Sequence, residues 1–281
     1  MLRVAIPNKG GLAPAAAQML REAGYRQRTD DKDLTCLDLD NDVEFFYLRP
    51  RDIATYVASG DLDLGITGRD LLFDANADVD EVLDLDFGAA TFRFAARPGT
   101  YDSVADLADA RIATSYPGVV ARFLDIHGIK ADVIRLDGAV ENAVGLGLAD
   151  VIADVVDTGG TLRKAGLEPV GEVVLTSTAV LVRRRAAPGN GPVTQLVRRL
   201  SGVLVARRYV MLAYDVRVVE LEDAVALTPG IESPTISPLH REGWVAVQAM
   251  VLRADVHKIM DELYEIGARA ILVTDIHACR L

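Results

Sequence analysis

The stretch VEFFYLRPRDIATYVASGDLDLGITGRD, residues 43–70, decides the fold. It opens on a run of β-branched and aromatic residues that reads as a buried strand and ends at Arg49-Pro50. The following apolar residues recur with helical spacing up to Gly60, a helix stop. DLDLGITG is again a strand, with a glycine-rich exit, and Asp70-Leu71-Leu72 begins another helix. Outward toward the N-terminus the same rhythm holds: LRVAIP (2–7) is a strand, and PAAAQMLREAGY (14–25) an amphipathic helix that stops at Gly24. Strand, helix, strand, helix predicts a mostly parallel sheet covered on both faces. Ligands of such sheets collect beyond the carboxyl ends of the strands, where PNKG (7–10), LRPRD (48–52) and GITGRD (65–70) fall.

A second α/β unit begins near TFRFAARPGT (91–100). A helix capped by Asp102 or Ser103 leads into strand RIATS, then come helix VVARFLDIHG, strand ADVIRLDG, helix AVENAVGLGLA, strand DVIADVV, the turn DTGG and helix TLRKAGL. EVVLTSTAVLVRR (172–184) reads as a strand returning toward the first unit, and after AAPGNGP a helix covers 193–208. Two lobes joined by a crossing and a return leave a cleft between them. From about Tyr209 the pattern changes to a β-α-β-α-β series, in which TPGIESPTISPL (228–239) is a loop, suiting a small ferredoxin-like module.

The length of 281 residues gives a prior of about two domains and enough chain to bury a core without disulfides or metals. No run approaches the ~18 apolar residues of a membrane span, and the opening MLRVAIPNKG has no secretory pattern, so a cytoplasmic location is expected. Cys36 and Cys279 form no zinc or disulfide spacing and are expected as small buried hydrophobes. The four histidines, at 127, 240, 257 and 277, form no metal pattern, and no nucleophile elbow is present. A net charge of −11, with 41 acidic against 30 basic residues and no basic block, excludes a general nucleic-acid binder. A small polyanion would need local positive potential from backbone amides, a helix N-terminus and a few cations.

Asp154-Val-Val-Asp157-Thr158-Gly159-Gly160-Thr161-Leu162 supplies such a place. A buried strand ends in acid, and a turn with two hydroxyls and two unhindered glycines opens a helix, a geometry that wraps a phosphate dianion. Carboxylates repel phosphate but accept from sugar hydroxyls, so acids flanking the loop point to a ribose 5-phosphate. The plainer alternative is a strand–helix turn with Asp157 or Thr158 as N-cap. Lys9, in Pro7-Asn-Lys-Gly-Gly11, is placed to neutralise pyrophosphate or is a solvated turn lysine. Arg49 is a candidate second cation or a surface ion pair. Asp70 is a partner for an adenine amino group or a helix cap; Tyr116 stacks on a base or packs in the core. GITGRD has neither the Walker lysine nor dinucleotide-loop spacing.

Glu141, then Gly145-Leu-Gly147, Ala149-Asp150 and Asp154 through Leu162 together resemble the ATP phosphoribosyltransferase signature, and PNKG, LRPRDIATYV, LDLGITGRDLL and TPGIESPTISPL extend the likeness over almost the whole chain. The C-terminal module is similar to that of the family's long, histidine-inhibited form. The resemblance implies an α/β fold of two periplasmic-binding-protein-like lobes around a central cleft, plus a ferredoxin-like (PII-like) regulatory domain. Residues 1–90 with 180–208 would form lobe I, 91–179 lobe II, and 209–281 the regulatory domain. It implies transfer of the phosphoribosyl group of phosphoribosyl pyrophosphate to N1 of ATP, releasing pyrophosphate, as the first step of histidine biosynthesis. On that reading Asp157, Thr158, Gly159, Gly160 and Thr161 hold the 5′-phosphate, Glu141 and Asp154 the ribose hydroxyls, and Lys9 with Arg49 the pyrophosphate. Asp70 and Tyr116 contact ATP, and Mg²⁺ is bound mainly to substrate, with no dedicated metal site on the protein. Free L-histidine would meet Asp215, Ile231, Ser233, Thr235 and Ala270, in a homo-oligomer ranging from dimer to hexamer, with no nucleic-acid or membrane partner. Two other readings are a two-lobed small-molecule binding protein with a regulatory tail and a base-salvage phosphoribosyltransferase. The first is disfavoured by the phosphate loop. The second usually has two adjacent acids, where this chain has Asp154 followed by Val155.

Overall fold

The computed structural model describes residues 1–156, 159–185, 189 and 191–280. They form two compact units: one runs to Thr194 apart from Glu22–Gly24, and the other takes those three residues and the chain from Gln195 on.

The first unit starts with β1 (Leu2–Pro7), α1 (Leu12–Glu22), β2 (Thr35–Asp38), β3 (Val43–Leu48), α2 (Pro50–Ser59), β4 (Leu64–Gly68), α3 (Arg69–Ala75) and β5 (Val79–Asp84). The chain crosses into a second sheet through β6 (Ala90–Ala96), a short 3-10 turn at Val104–Leu107, β7 (Arg111–Thr114), α4 (Pro117–His127), β8 (Asp132–Arg135), α5 (Asn142–Gly145), β9 (Val151–Val156), α6 (Gly160–Lys164) and β10 (Glu168–Ser177). It returns as β11 (Ala179–Arg184), followed by α7 (Gly191–Arg208).

The first sheet has the order β2-β3-β1-β4-β11-β5, the second β10-β6-β9-β7-β8. As expected, β1 pairs in parallel with both β3 and β4, and β7 with β8 and β9. The central strands read as continuous apolar runs because both faces are covered: Val4, Ala5, Ile6, Leu64 and Ile66 are all fully buried. In lobe II, Phe92, Phe94 and Ile112 fill one face of the sheet with Val120 of α4, and Ala95, Ala113 and Ile152 the other with Val144 and Leu162.

Several elements differ from the sequence reading. The run 172–184 is two strands: β10 pairs antiparallel with β6 in lobe II, and β11 lies between β4 and β5 in lobe I. Thr178 makes the crossing, its hydroxyl donating to the Phe87 carbonyl, while Ala179 N–H also reaches Phe87 O at 2.9 Å. The helix expected over 139–149 shrinks to four residues, since Gly145 and Gly147, the latter at φ 73°, dissolve its second turn. The helix expected after Ser103 is a single 3-10 turn closed by a Ser103–Asp106 capping box. Cys36 and Cys279 are partly exposed, not buried; Cys36 sits on β2, an edge strand.

The second unit carries β12 (Tyr209–Arg217), α8 (Leu221–Leu227), β13 (Thr235–Pro238), β14 (Trp244–Leu252), α9 (Val256–Glu265) and β15 (Arg269–Asp275). The strand β13 lies inside the segment expected as a loop. The sheet order β13-β14-β12-β15 and the β-α-β-β-α-β sequence make this the ferredoxin-like arrangement. Val210, Leu212, Tyr214 and Val216 alternate onto the face covered by Ala224 of α8 and Val256 and Leu263 of α9.

Candidate active site

In the first unit, a cavity of about 440 Å³ lies where strands of both lobes end. Lys9 and Gly10 after β1, Pro50 before α2, Gly68 and Asp70 at the β4–α3 junction, Tyr116 after β7, Val155 of β9 and Ser177 of β10 line it. Lys9, Asp70 and Tyr116, separate in sequence, therefore meet in one place. Lys9 also borders an adjoining cavity of about 430 Å³ with Arg21, Arg28 and Tyr47.

Asp70 is buried, at 7 % exposure. It does not serve as N-cap; Gly68 holds that position and α3 starts at Arg69. The Ser177 hydroxyl donates to Asp70 Oδ1 at 2.6 Å while Asp70 N–H donates back to Ser177 Oγ at 3.0 Å. The Tyr116 hydroxyl also donates to Asp70, and burial together with that carboxylate pushes the phenol far above its ordinary value, so it stays protonated. The Tyr116 ring packs edge-on against Phe92 at 5.4 Å and lies under the Arg51 guanidinium at 5.0 Å. The ring is packed, and Tyr116 also lines the cavity.

Asp154 is the fourth residue of β9 and accepts from Val155 N–H at 2.8 Å. Burial raises its pKa, the charges of Glu141 and Asp70 raise it further, and the Val155 bond and Arg51 act the other way. Glu141 and Asp70 thus each lie within electrostatic reach of Asp154. Glu141 is the N-cap of α5. Asp157 and Thr158 lie outside the described residues. Gly159 has φ 70°, the left-handed conformation a glycine allows, and Gly160 and Thr161 begin α6.

Arg49 is exposed and caps the backbone start of α2, away from the cavity lining. Arg51, likewise not among the lining residues, is a cation that acts on the cleft through its charge, besides Lys9. Its charge lowers the pKa of both Asp154 and Tyr116, and its Nη1 pairs with Asp74 Oδ2 at 2.6 Å. Arg28, also absent from the sequence reading, is held in the adjoining cavity by the carbonyls of Asn8, Asp31 and Asp33 and lies 4.1 Å over the Tyr47 ring. Strand-end position was the usable signal for Lys9 and Asp70. Neither Arg28, in a loop, nor Arg51, inside a helix, carries it.

In the second unit, Asp215 of β12 pairs in register with Arg269, next to Ala270, whose φ of 51° marks the β12–β15 irregularity. Thr235 lies on β13, two strands away across β14, and Ser233 precedes it in an exposed turn with Ile231.

The family described as ATP phosphoribosyltransferase matches residues 49–202, and that described as HisG, C-terminal domain, matches residues 206–278. The ATP phosphoribosyltransferase of Salinispora tropica is 70% identical over 281 residues, covering 100% of both chains. The chain belongs to the ATP phosphoribosyltransferase family. The Streptomyces avermitilis ATP phosphoribosyltransferase is 60% identical over 285 residues, again with both chains fully covered. Among solved structures, the ATP phosphoribosyl transferase (HisG:HisZ) complex from Thermotoga maritima superposes with a TM-score of 0.64 at 26% identity, covering 73% of this chain and 98% of that chain. The C-terminal match marks the long form of ATP phosphoribosyltransferase. The enzyme transfers the phosphoribosyl group of phosphoribosyl pyrophosphate to N1 of ATP and releases pyrophosphate, the first step of histidine biosynthesis. No helix among the described residues is long and apolar enough to cross a membrane.

Proposed function

We propose that the transfer takes place in the inter-lobe cavity, with the sugar over β9 and the base over Asp70 and Tyr116. The observation carrying this reading is the meeting of Lys9, Asp70 and Tyr116 in one cavity whose wall includes Val155, the residue after Asp154 on β9. The 5′-phosphate would sit on the amides and hydroxyls from Asp157 through Thr161, with the left-handed Gly159 turning the backbone. Glu141 and Asp154 accept from the ribose hydroxyls. Lys9 and Arg51 face the pyrophosphate.

This division of charge suits the reaction. N1 of adenine attacks the anomeric carbon as the bond to pyrophosphate breaks, and the sugar passes through an oxocarbenium-like state. The carboxylates of Asp70, Asp154 and Glu141 make one side of the cleft electronegative where that positive charge develops. The cations stand where negative charge accumulates on the leaving group. Holding base and sugar in line supplies the rest, with no covalent intermediate on the protein.

The described residues bring together no three His, Cys, Asp or Glu side chains as a metal-binding group. We assign Mg²⁺ to the substrate, held on pyrophosphate oxygens and water, where it would neutralise the leaving group. We assign residues 1–90 with 180–208 and 91–179 to the two catalytic lobes and 209–281 to a regulatory module. Free histidine would bind that module through Asp215, Ser233 and Thr235, with Ile231 and Ala270 lining the pocket. The enzyme would work in the cytoplasm as a homo-oligomer, from dimer to hexamer.

Thr161→Ala tests the site. It should weaken phosphoribosyl pyrophosphate binding by about tenfold, one charge-assisted hydrogen bond, and leave histidine binding as it was. Calorimetric titration with each ligand measures both, and equal losses would place the phosphate elsewhere.

A further inference from the structure

Asp74, in the last turn of α3, joins the two lobes beside the cleft. Its two carboxylate oxygens serve different groups. Oδ1 accepts the Gly118 N–H at 2.8 Å and the Val119 N–H at 3.4 Å, the first free amides of α4. Oδ2 pairs with Arg51 Nη1 at 2.6 Å. The carboxylate is only 9 % exposed.

α4 has no cap of its own: Tyr116 occupies the N-cap position, makes no capping bond, and is followed by Pro117. Asp74 supplies the missing acceptor and the negative charge from the other lobe. The other half of the joint mirrors it. Arg122 of α4 donates to Phe73 O at 3.3 Å and Asn76 Oδ1 at 2.8 Å, placing a cation on the carbonyl end of α3. The helices approach so closely that a Cβ on Gly118 would lie 2.3 Å from Asp74 O.

The joint bears directly on the cleft. Fixing Gly118 and Val119 fixes the backbone of Tyr116 two residues earlier, and holding Arg51 keeps its guanidinium over the Tyr116 ring. We propose that Asp74 is a positioning residue of the transferase, acting through Arg51 and the start of α4 to hold Tyr116 and the Arg51 charge in their reacting arrangement. Asp74 itself does not line the cavity. The proposal rests on the reading of the cleft given above.

Turnover of ATP and phosphoribosyl pyrophosphate with Mg²⁺ by the full chain tests it in a double-mutant cycle. Asp74→Asn keeps an oxygen for the α4 amides and removes the charge that orients Arg51. Its kcat should fall about tenfold with a smaller change in KM, because pre-organisation is lost more than ground-state binding. Arg51→Gln should fall at least as far, and Asp74→Asn added to it should cost little more. Losses that multiply, or Asp74→Asn turning over like wild type, would overturn the proposal. If Asp74→Asn does not melt cooperatively, Asp74→Glu, with the charge kept and displaced, takes its place in the cycle. Absence of turnover in the wild-type chain would instead bring down the reading of the cleft, and this proposal with it.

Discussion

Asp154 shows what a buried carboxylate costs the protein around it. Burial and two neighbouring acids raise its folded pKa, so the native state keeps a proton that the unfolded chain has already lost. The sign follows from linkage. Stability is fully present below the ordinary carboxylate value and declines as pH rises through the raised folded one. Asp154→Asn should therefore melt above wild type at neutral pH, with the difference vanishing below about pH 4. Melting curves across pH check it, and a variant less stable than wild type at neutral pH would show Asp154 to be held in place by favourable contacts instead. The strand that carries Asp154 was legible in the sequence because a buried apolar run leads into acid, threonine and paired glycine. Arg51 was not. It stands two residues after Arg49 across a proline, and only the start of α2 puts Arg49 at the N-cap and Arg51 in the first turn, where it pairs with Asp74.

Among the elements, the parallel core was the most legible part, since strands buried on both faces carry unbroken apolar runs. The boundary between β10 and β11 was hidden for the same reason: EVVLTSTAVLVRR is strand-like throughout, and the switch of sheet at Thr178 depends on partners more than 80 residues away, such as Phe87. In the ferredoxin-like module, β13 was missed because Pro234 precedes and Pro238 ends a strand of four residues. Inside that module Tyr214 is fully packed and its hydroxyl meets Thr228 Oγ1 at 2.7 Å. The Thr228 proton goes to Ala224 O at 3.0 Å, which leaves the tyrosine as donor. Tyr214→Phe thus deprives the threonine of a donor while Thr228 keeps its acceptor, and should cost about 1 kcal/mol. Chemical denaturation followed through Trp244, the only tryptophan, measures it; a loss several times larger would mean that the hydroxyl organises more than this pair.

At the scale of the whole molecule, the two units pose separate questions to a ligand. On the proposed regulation, histidine bound to the second unit would have to favour one arrangement of the enzyme, and a coupling of ~1–3 kcal/mol would give roughly 5–150-fold inhibition. If histidine binds as proposed, it should raise the melting temperature, and Asp215→Ala should abolish that rise and raise the concentration needed for inhibition about tenfold or more. Inhibition that persists unchanged would move the effector site off the β12–β15 edge. The module itself was legible from its alternating strands. The effector pocket rests on family resemblance, because exposed polar residues on an open sheet face carry no signal of their own.

The position of β11 has a consequence for how the protein is made. It is wedged between β4 and β5, strands completed about a hundred residues earlier in synthesis. Until Arg184 has left the ribosome, β5 has no partner in that sheet and β4 presents a raw edge to the cell. Lobe II can close first, although it is translated second, and the nascent first lobe must wait open through that interval, in need of shelter from other unfinished chains.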